Sequence, residues 1–182
     1  MVKPQPEEVF ARVAGMVAST WPTTEDERRA WFLSFGMPTD GRMVAEESES
    51  TSRVYEATQD ADWPRTGWHV HRDQFVGVHW FLWADEDDDA TRAAAEQLRS
   101  LFDARWSAVD ELSGPAGEFT ALWEPDASQI DLYYHARRDD IRPGLGPSVV
   151  QLHVGHRARL EDEEREAVAK PERPSPLTGN GL

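Results

Sequence analysis

An α+β fold, with one mainly antiparallel sheet of about 5–6 strands and with an N-terminal helix pair and a central helix packed on one face, follows from three observations. Strands arrive as hairpins instead of alternating singly with helices. The stretch Trp68-His69-Val70-His71-Arg72-Asp73-Gln74-Phe75-Val76-Gly77-Val78-His79-Trp80-Phe81-Leu82-Trp83 is rich in aromatic and β-branched residues, and Arg72-Asp73-Gln74 is its one polar interruption. That is the pattern of a central hairpin whose second arm, apolar on both faces, lies inside a sheet. Helical periodicity both precedes and follows this stretch.

Two helices come first. Val9, Phe10, Val13, Met16 and Val17 recur at helical spacing over about Pro6 to Thr20, with Glu7 and Glu8 at the positive end of the helix dipole, and Pro22 stops the run. Thr24-Glu25-Asp26-Glu27 has the form of a capping box, Trp31, Phe32 and Phe35 follow on one side, and Gly36 and Pro38 end the segment. The pair is expected to run antiparallel and to pack its Val, Met and Trp face on the sheet. Short strands are expected at Arg42 to Ala45 and Arg53 to Ala57, around the polar run Glu46 to Ser52.

After Trp83, Asp85 to Asp89 stand where a helix N-terminus rewards carboxylates, and Ala93, Ala94, Leu98, Leu101, Phe102, Arg105 and Trp106 carry the periodicity onward. Leu101 and Trp80 are expected in the core. Ser113-Gly114-Pro115-Ala116-Gly117 breaks the chain. Phe119 to Trp123 and Ile130 to His135 then flank the turn Pro125-Asp126-Ala127-Ser128 as a second hairpin, and Ser148 to Val154 forms a last strand. Leu160 to Val168 reads as a charged helix with a thin apolar face. Residues 5–168 are expected to form a single domain, with 169–182 as a disordered tail of Pro, Gly, Ser and Asn.

The composition narrows function more than any motif does. A chain of 182 residues with eight Trp and seven Phe can bury a real core; at this size roughly 70% of the unfolded surface is hidden on folding. A formal charge of -15 repels phosphate backbones and anionic membranes, so neither nucleic acid nor membrane is an expected partner, and a basic protein is. The absence of cysteine removes disulfides, thiolate metal sites and thiol nucleophiles. With no apolar leader and no window near the ~20 apolar residues that a spanning helix needs, the expected compartment is the cytoplasm.

Three imidazoles in the central hairpin raise the question of a metal. If Asp73-Gln74 form the turn, His69 faces Val78, His71 faces Val76, and His79 falls opposite Trp68 on the other side, so the three do not converge. No metal, no cofactor and no catalytic residue is therefore expected. The Gly-x-Ser-x-Gly, phosphate-loop, dinucleotide and zinc-peptidase patterns are all missing. An enzyme or small-ligand binder using His69, His71 and His79 stands as the competing class.

The order of elements resembles small acidic α+β proteins of actinobacteria. It comprises a helix pair ending in Trp31 to Gly36, a hairpin, an Ala-rich helix, a Gly-Pro break, a hairpin with Trp123 and Leu132, and a final Val-Val-x-Leu strand. That class includes families regarded as immunity proteins of polymorphic toxin systems. The same order is similar to secretion chaperones. The resemblance implies a cytoplasmic, non-catalytic protein that neutralises a toxin or, in the alternative, escorts a secreted protein; it supplies no catalytic residues. The expected partner surface is Trp68 and Trp83 as aromatic anchors beside the acidic rim Asp85, Glu86, Asp87 and Asp88.

Overall fold

Alternation of side chains along hairpins builds the strands of this chain into one antiparallel sheet. The computed structural model describes residues 2–46, 52–58, 63–84, 86–136 and 148–169. The strands are β1 (Arg42–Glu46), β2 (Ser52–Ala57), β3 (Thr66–His71), β4 (Gln74–Leu82), β5 (Asp110–Ser113), β6 (Phe119–Trp123), β7 (Ser128–His135) and β8 (Val149–His156). They pair in the order β1-β2-β3-β4-β8-β7-β6-β5, every neighbour antiparallel. The last strand thus inserts between the two hairpin-built halves. The sheet has 8 strands where about 5–6 were expected. Both polar segments of the first hairpin pair, and Asp110–Ser113, exposed throughout, adds an edge strand with no apolar alternation to announce it.

One face of the sheet is the core. Trp68, Val78, Trp80 and Leu82, then Val150, Leu152 and Val154, Ile130, Leu132 and Tyr134, and Phe119, Ala121 and Trp123 are all buried there. Helices α1 (Pro6–Ala18), α2 (Glu25–Ser34) and α3 (Asp88–Arg105) cover it. The capping box of α2 forms as expected, Glu27 N–H donating to Thr24 Oγ1 and Thr24 N–H to the Glu27 carboxylate, both at 3.2 Å. Helix α1 stops at Ala18, short of Thr20, because the Ser19 hydroxyl donates to the Met16 carbonyl at 2.7 Å and Trp21 turns into the core, its Nε1–H donating to Ser128 Oγ at 3.0 Å. The antiparallel pairing expected of the first two helices is not what packs. The main helical neighbour of α1 is α3, through Phe10 against Phe102 and Trp106 at ring separations of 5.8 and 6.0 Å.

A fourth helix, α4 (Arg157–Ala169), lies on the opposite face, so helices do not occupy one side alone. None of its residues is fully buried. Its apolar seat is Leu160 over Gly155, where a Cβ would come within 2.6 Å of Leu160 Cδ1. Polar contacts do the rest. Arg159 donates to the carbonyls of Pro22 at 2.8 Å and Phe75 at 2.6 Å, and Glu163 reaches His69 Nε2 at 3.2 Å and accepts from the Ser52 hydroxyl at 2.6 Å. The tail beyond residue 169 lies outside the described residues, as do 47–51 of the polar run.

The central hairpin differs from expectation by its turn. Arg72 and Asp73, at φ 49° and 61°, form the two-residue loop, and His71 pairs with Gln74. Positive φ at both positions is what a hairpin turn of matching twist demands. A register shift between His69 and Val70 then sets His69 opposite Gly77 and Gly67 opposite His79. Moving a two-residue turn by one position leaves the facing parity unchanged, so it is the bulge that carries His69, His71 and His79 to the same face, contrary to the divergence expected. It is the face that α4 partly covers.

Candidate binding face of the sheet

The positions that alternate with the core residues form two rows across the opposite face. Register places Gly67, His79, His153, Asp131 and Leu122 side by side on successive strands, and Phe81, Gln151, Tyr133, Thr120 and Leu112 in the adjoining row. Helix α4 sits over β4 and β8 at the near end, and no other described helix lies on this side. Phe81 is 49% and Leu112 65% exposed, while His79, His153, Asp131, Tyr133 and Leu122 are half-buried.

The histidine pair is set by backbone. His79 and His153 are directly opposite, with rings stacked at 5.3 Å, and the His79 ring lies over Gly67, where a Cβ would meet Nε2 at 2.0 Å. Burial holds the His153 imidazolium down, to a pKa of about 4, and the neighbouring His79 and His69 add to the effect. His79 is lowered by burial first and by His69 second, with Glu56 opposing. Both rings are therefore neutral at pH 7. The Gln151 side-chain amide lies 2.6 Å from His153 Nε2, where the amide N–H donates and the neutral ring accepts.

Beside them stands a carboxylate of opposite character. Burial raises the pKa of Asp131, the two side-chain N–H···O contacts from Gln129 at 3.1 and 3.2 Å oppose it, and the negative charges of Glu164 and Glu124 raise it further. Tyr133 is raised by burial, by Asp131 and by Glu164. Its ring meets His153 edge-on at 6.2 Å and stacks on His135 at 6.2 Å. Among the described residues no group of three or more His, Asp or Glu could hold a metal ion. The arrangement offers flat rings, hydrogen-bonding amides and a carboxylate on an open surface, which suits recognition.

The residues expected to meet a partner lie elsewhere and behave differently. Trp68, 2% exposed, is fixed between Phe32 at 5.2 Å and Tyr55 at 5.6 Å. Trp83, 4% exposed, donates its indole N–H to the Pro4 carbonyl at 2.8 Å. Neither can anchor a partner, because both side chains point to the helix-covered face or under the N-terminal segment. Asp85 lies outside the described residues. Glu86 follows Trp83 in a turn, its N–H bonding the Trp83 carbonyl at 3.2 Å. Asp87 is the N-cap of α3, accepting from Ala90 N–H at 2.9 Å, and Asp88 accepts from Ser148 N–H at 2.9 Å. Dense charge and aromatic surface are thus not adjacent there. The face built by Asp131, Tyr133, Gln151 and His153 went unnoticed in the sequence, although those residues occupy the alternate positions of β7 and β8.

Comparison with family models, with curated proteins and with solved structures finds no match. Among the described residues no helix is long and apolar enough to cross a membrane.

One consequence of the His79 packing is testable by itself. Gly67→Ala is expected to push the His79 ring off His153, costing about 1–3 kcal/mol through overpacking. Histidine NMR titration should then show the His153 pKa rising from about 4 toward its ordinary 6.5 as the site opens. An unmoved titration in a folded variant would mean that the ring does not depend on Gly67.

Proposed function

We propose that this is a non-catalytic, cytoplasmic protein that binds a basic protein partner on the helix-free part of its sheet, with toxin neutralisation as the leading role and escort of a secreted protein as the alternative. The observation that carries the reading is the open row Phe81, Gln151, Tyr133 and Leu112 lying beside Asp131, whose charged neighbours are acidic. Exposed aromatic and apolar side chains beside negative charge are the surface a cationic protein complements, and the overall charge of -15 would speed the encounter. The sequence resemblance supports the choice of immunity over escort.

Affinity capture at low salt from native lysate tests it, with the double variant Phe81→Ala/Tyr133→Ala beside the wild type and the triple Glu86→Ser/Asp87→Ser/Asp88→Ser. Loss of aromatic anchors should weaken the captured complex on the order of tenfold or more in Kd. The triple variant should retain the partner while losing some stability through the missing helix cap. A recovered toxin domain favours neutralisation, and a secreted substrate favours escort. Recovery of no basic partner, or a complex untouched by the double variant, would overturn the proposal.

A further inference from the structure

We infer that Asp131 is the floor of a socket for an arginine side chain of the partner, an inference that rests on the binding role just proposed and names the group that would be recognised. Asp131 is flanked by His153 on β8 and by Leu122 on β6, and Tyr133 stands two residues further on along the same face. A half-buried carboxylate is costly unless a cation or several donors compensate it. Among the described residues, the side-chain hydrogen bonds that Asp131 accepts come from the Gln129 amide. Among the described residues, the charges that act on Asp131 are those of Glu164 and Glu124, both negative. Arg157 is engaged elsewhere, since it pairs with Glu124 at 3.0 Å and donates to the Asp126 carbonyl at 3.1 Å.

The walls select the kind of cation. Tyr133 and His153 present rings at 6.2 Å and His79 extends the row, so a planar guanidinium can lie over an aromatic face while pairing with the carboxylate. A lysine ammonium is a compact, strongly hydrated point charge that gains less from such walls. Neutral imidazoles matter here, because a charged ring would repel the guest.

N-acetyl-L-argininamide is the probe, titrated into the full chain and followed by the NMR resonances of the His153 and Tyr133 rings. N-acetyl-L-lysinamide and the uncharged citrulline analogue serve as comparators. Arginine should give saturable shifts at these rings, with lysine weaker and citrulline absent. Asp131→Asn, which keeps shape and removes charge, should weaken arginine binding on the order of tenfold, as expected for loss of a charge-assisted hydrogen bond. Binding that survives Asp131→Asn, equal response to citrulline, or shifts spread over the acidic helices instead of the two rings would each overturn the socket. Failure of the two proposals is separable. If the probe binds at Asp131 but no basic partner exists, only the proposed function falls; if a partner binds the face undiminished by Asp131→Asn, only the socket falls.

Discussion

Trp80→Ala is expected to cost about 3–5 kcal/mol in urea unfolding, the upper range for deleting a buried aromatic side chain. Trp80 is 0% exposed, at the centre of the sheet between β3 and β8, with its ring edge against Trp63 at 6.3 Å. Its Nε1–H donates to the hydroxyl of Thr66, itself fully buried, at 3.0 Å. Truncation would leave a cavity and remove this buried hydrogen bond, and the two costs add. Leu101, expected from periodicity to be equally central, is only half-buried, while its neighbours Leu98 and Phe102 are fully buried. Leu101→Ala should therefore cost about 1 kcal/mol, near the centre of the distribution for ordinary substitutions. Equal losses for the two variants would contradict the assignment of faces.

Acid should destabilise this fold well above the carboxylate range. In the unfolded chain His153 takes up a proton near 6.5, but in the folded protein not until about 4, so the unfolded state gains as pH falls between those values. The sign is that of a base whose folded pKa is lowered: stability is greatest above 6.5 and is lost as pH approaches 4. A shift of this size corresponds to about 3 kcal/mol. His79 acts in the same direction. Glu163, lowered in spite of its burial by its hydrogen bonds from His69 and Ser52, adds its own loss as pH falls below its ordinary 4.5. Asp131, raised by burial, has the opposite sign, since its cost is relieved as it protonates. Between pH 6.5 and 4.5 the histidines dominate. Tm measured across that interval should fall for the wild type and fall less steeply for His153→Gln, in which His79 still titrates; parallel curves would remove the account of a buried, neutral His153.

Apolar alternation, turn signals and capping chemistry made most elements readable from the sequence, β1, β2 and the charged α4 among them, and the exposed β5 was not. Ile130, Leu132 and Tyr134 alternate cleanly, and the Thr24–Glu27 box and Gly36 mark helix ends by local chemistry that tertiary structure leaves alone. β5 has no apolar pattern because none of its side chains is buried, so only pairing with β6 makes it a strand. The histidines were misplaced for a sharper reason. Side-chain direction in a hairpin depends on the parity of the register, so the one extra residue at the bulge decided which face His79 shares. The binding face was visible only as the remainder of the alternation, with Asp131 and His153 brought together by strands that adjoin but do not follow in a hairpin of known register.

Hydrogen exchange of the complex with a captured partner addresses the binding face most directly. Slowed exchange is predicted on β7 and on the Phe81 to Leu82 end of β4 and the adjoining end of β8, together with the outer turns of α4, while the outward surfaces of α1 and α3 exchange as in the free protein. Protection concentrated on α1 and α3, or around Glu86 to Asp88 at the start of α3, with β7 and β8 unchanged, would contradict the account.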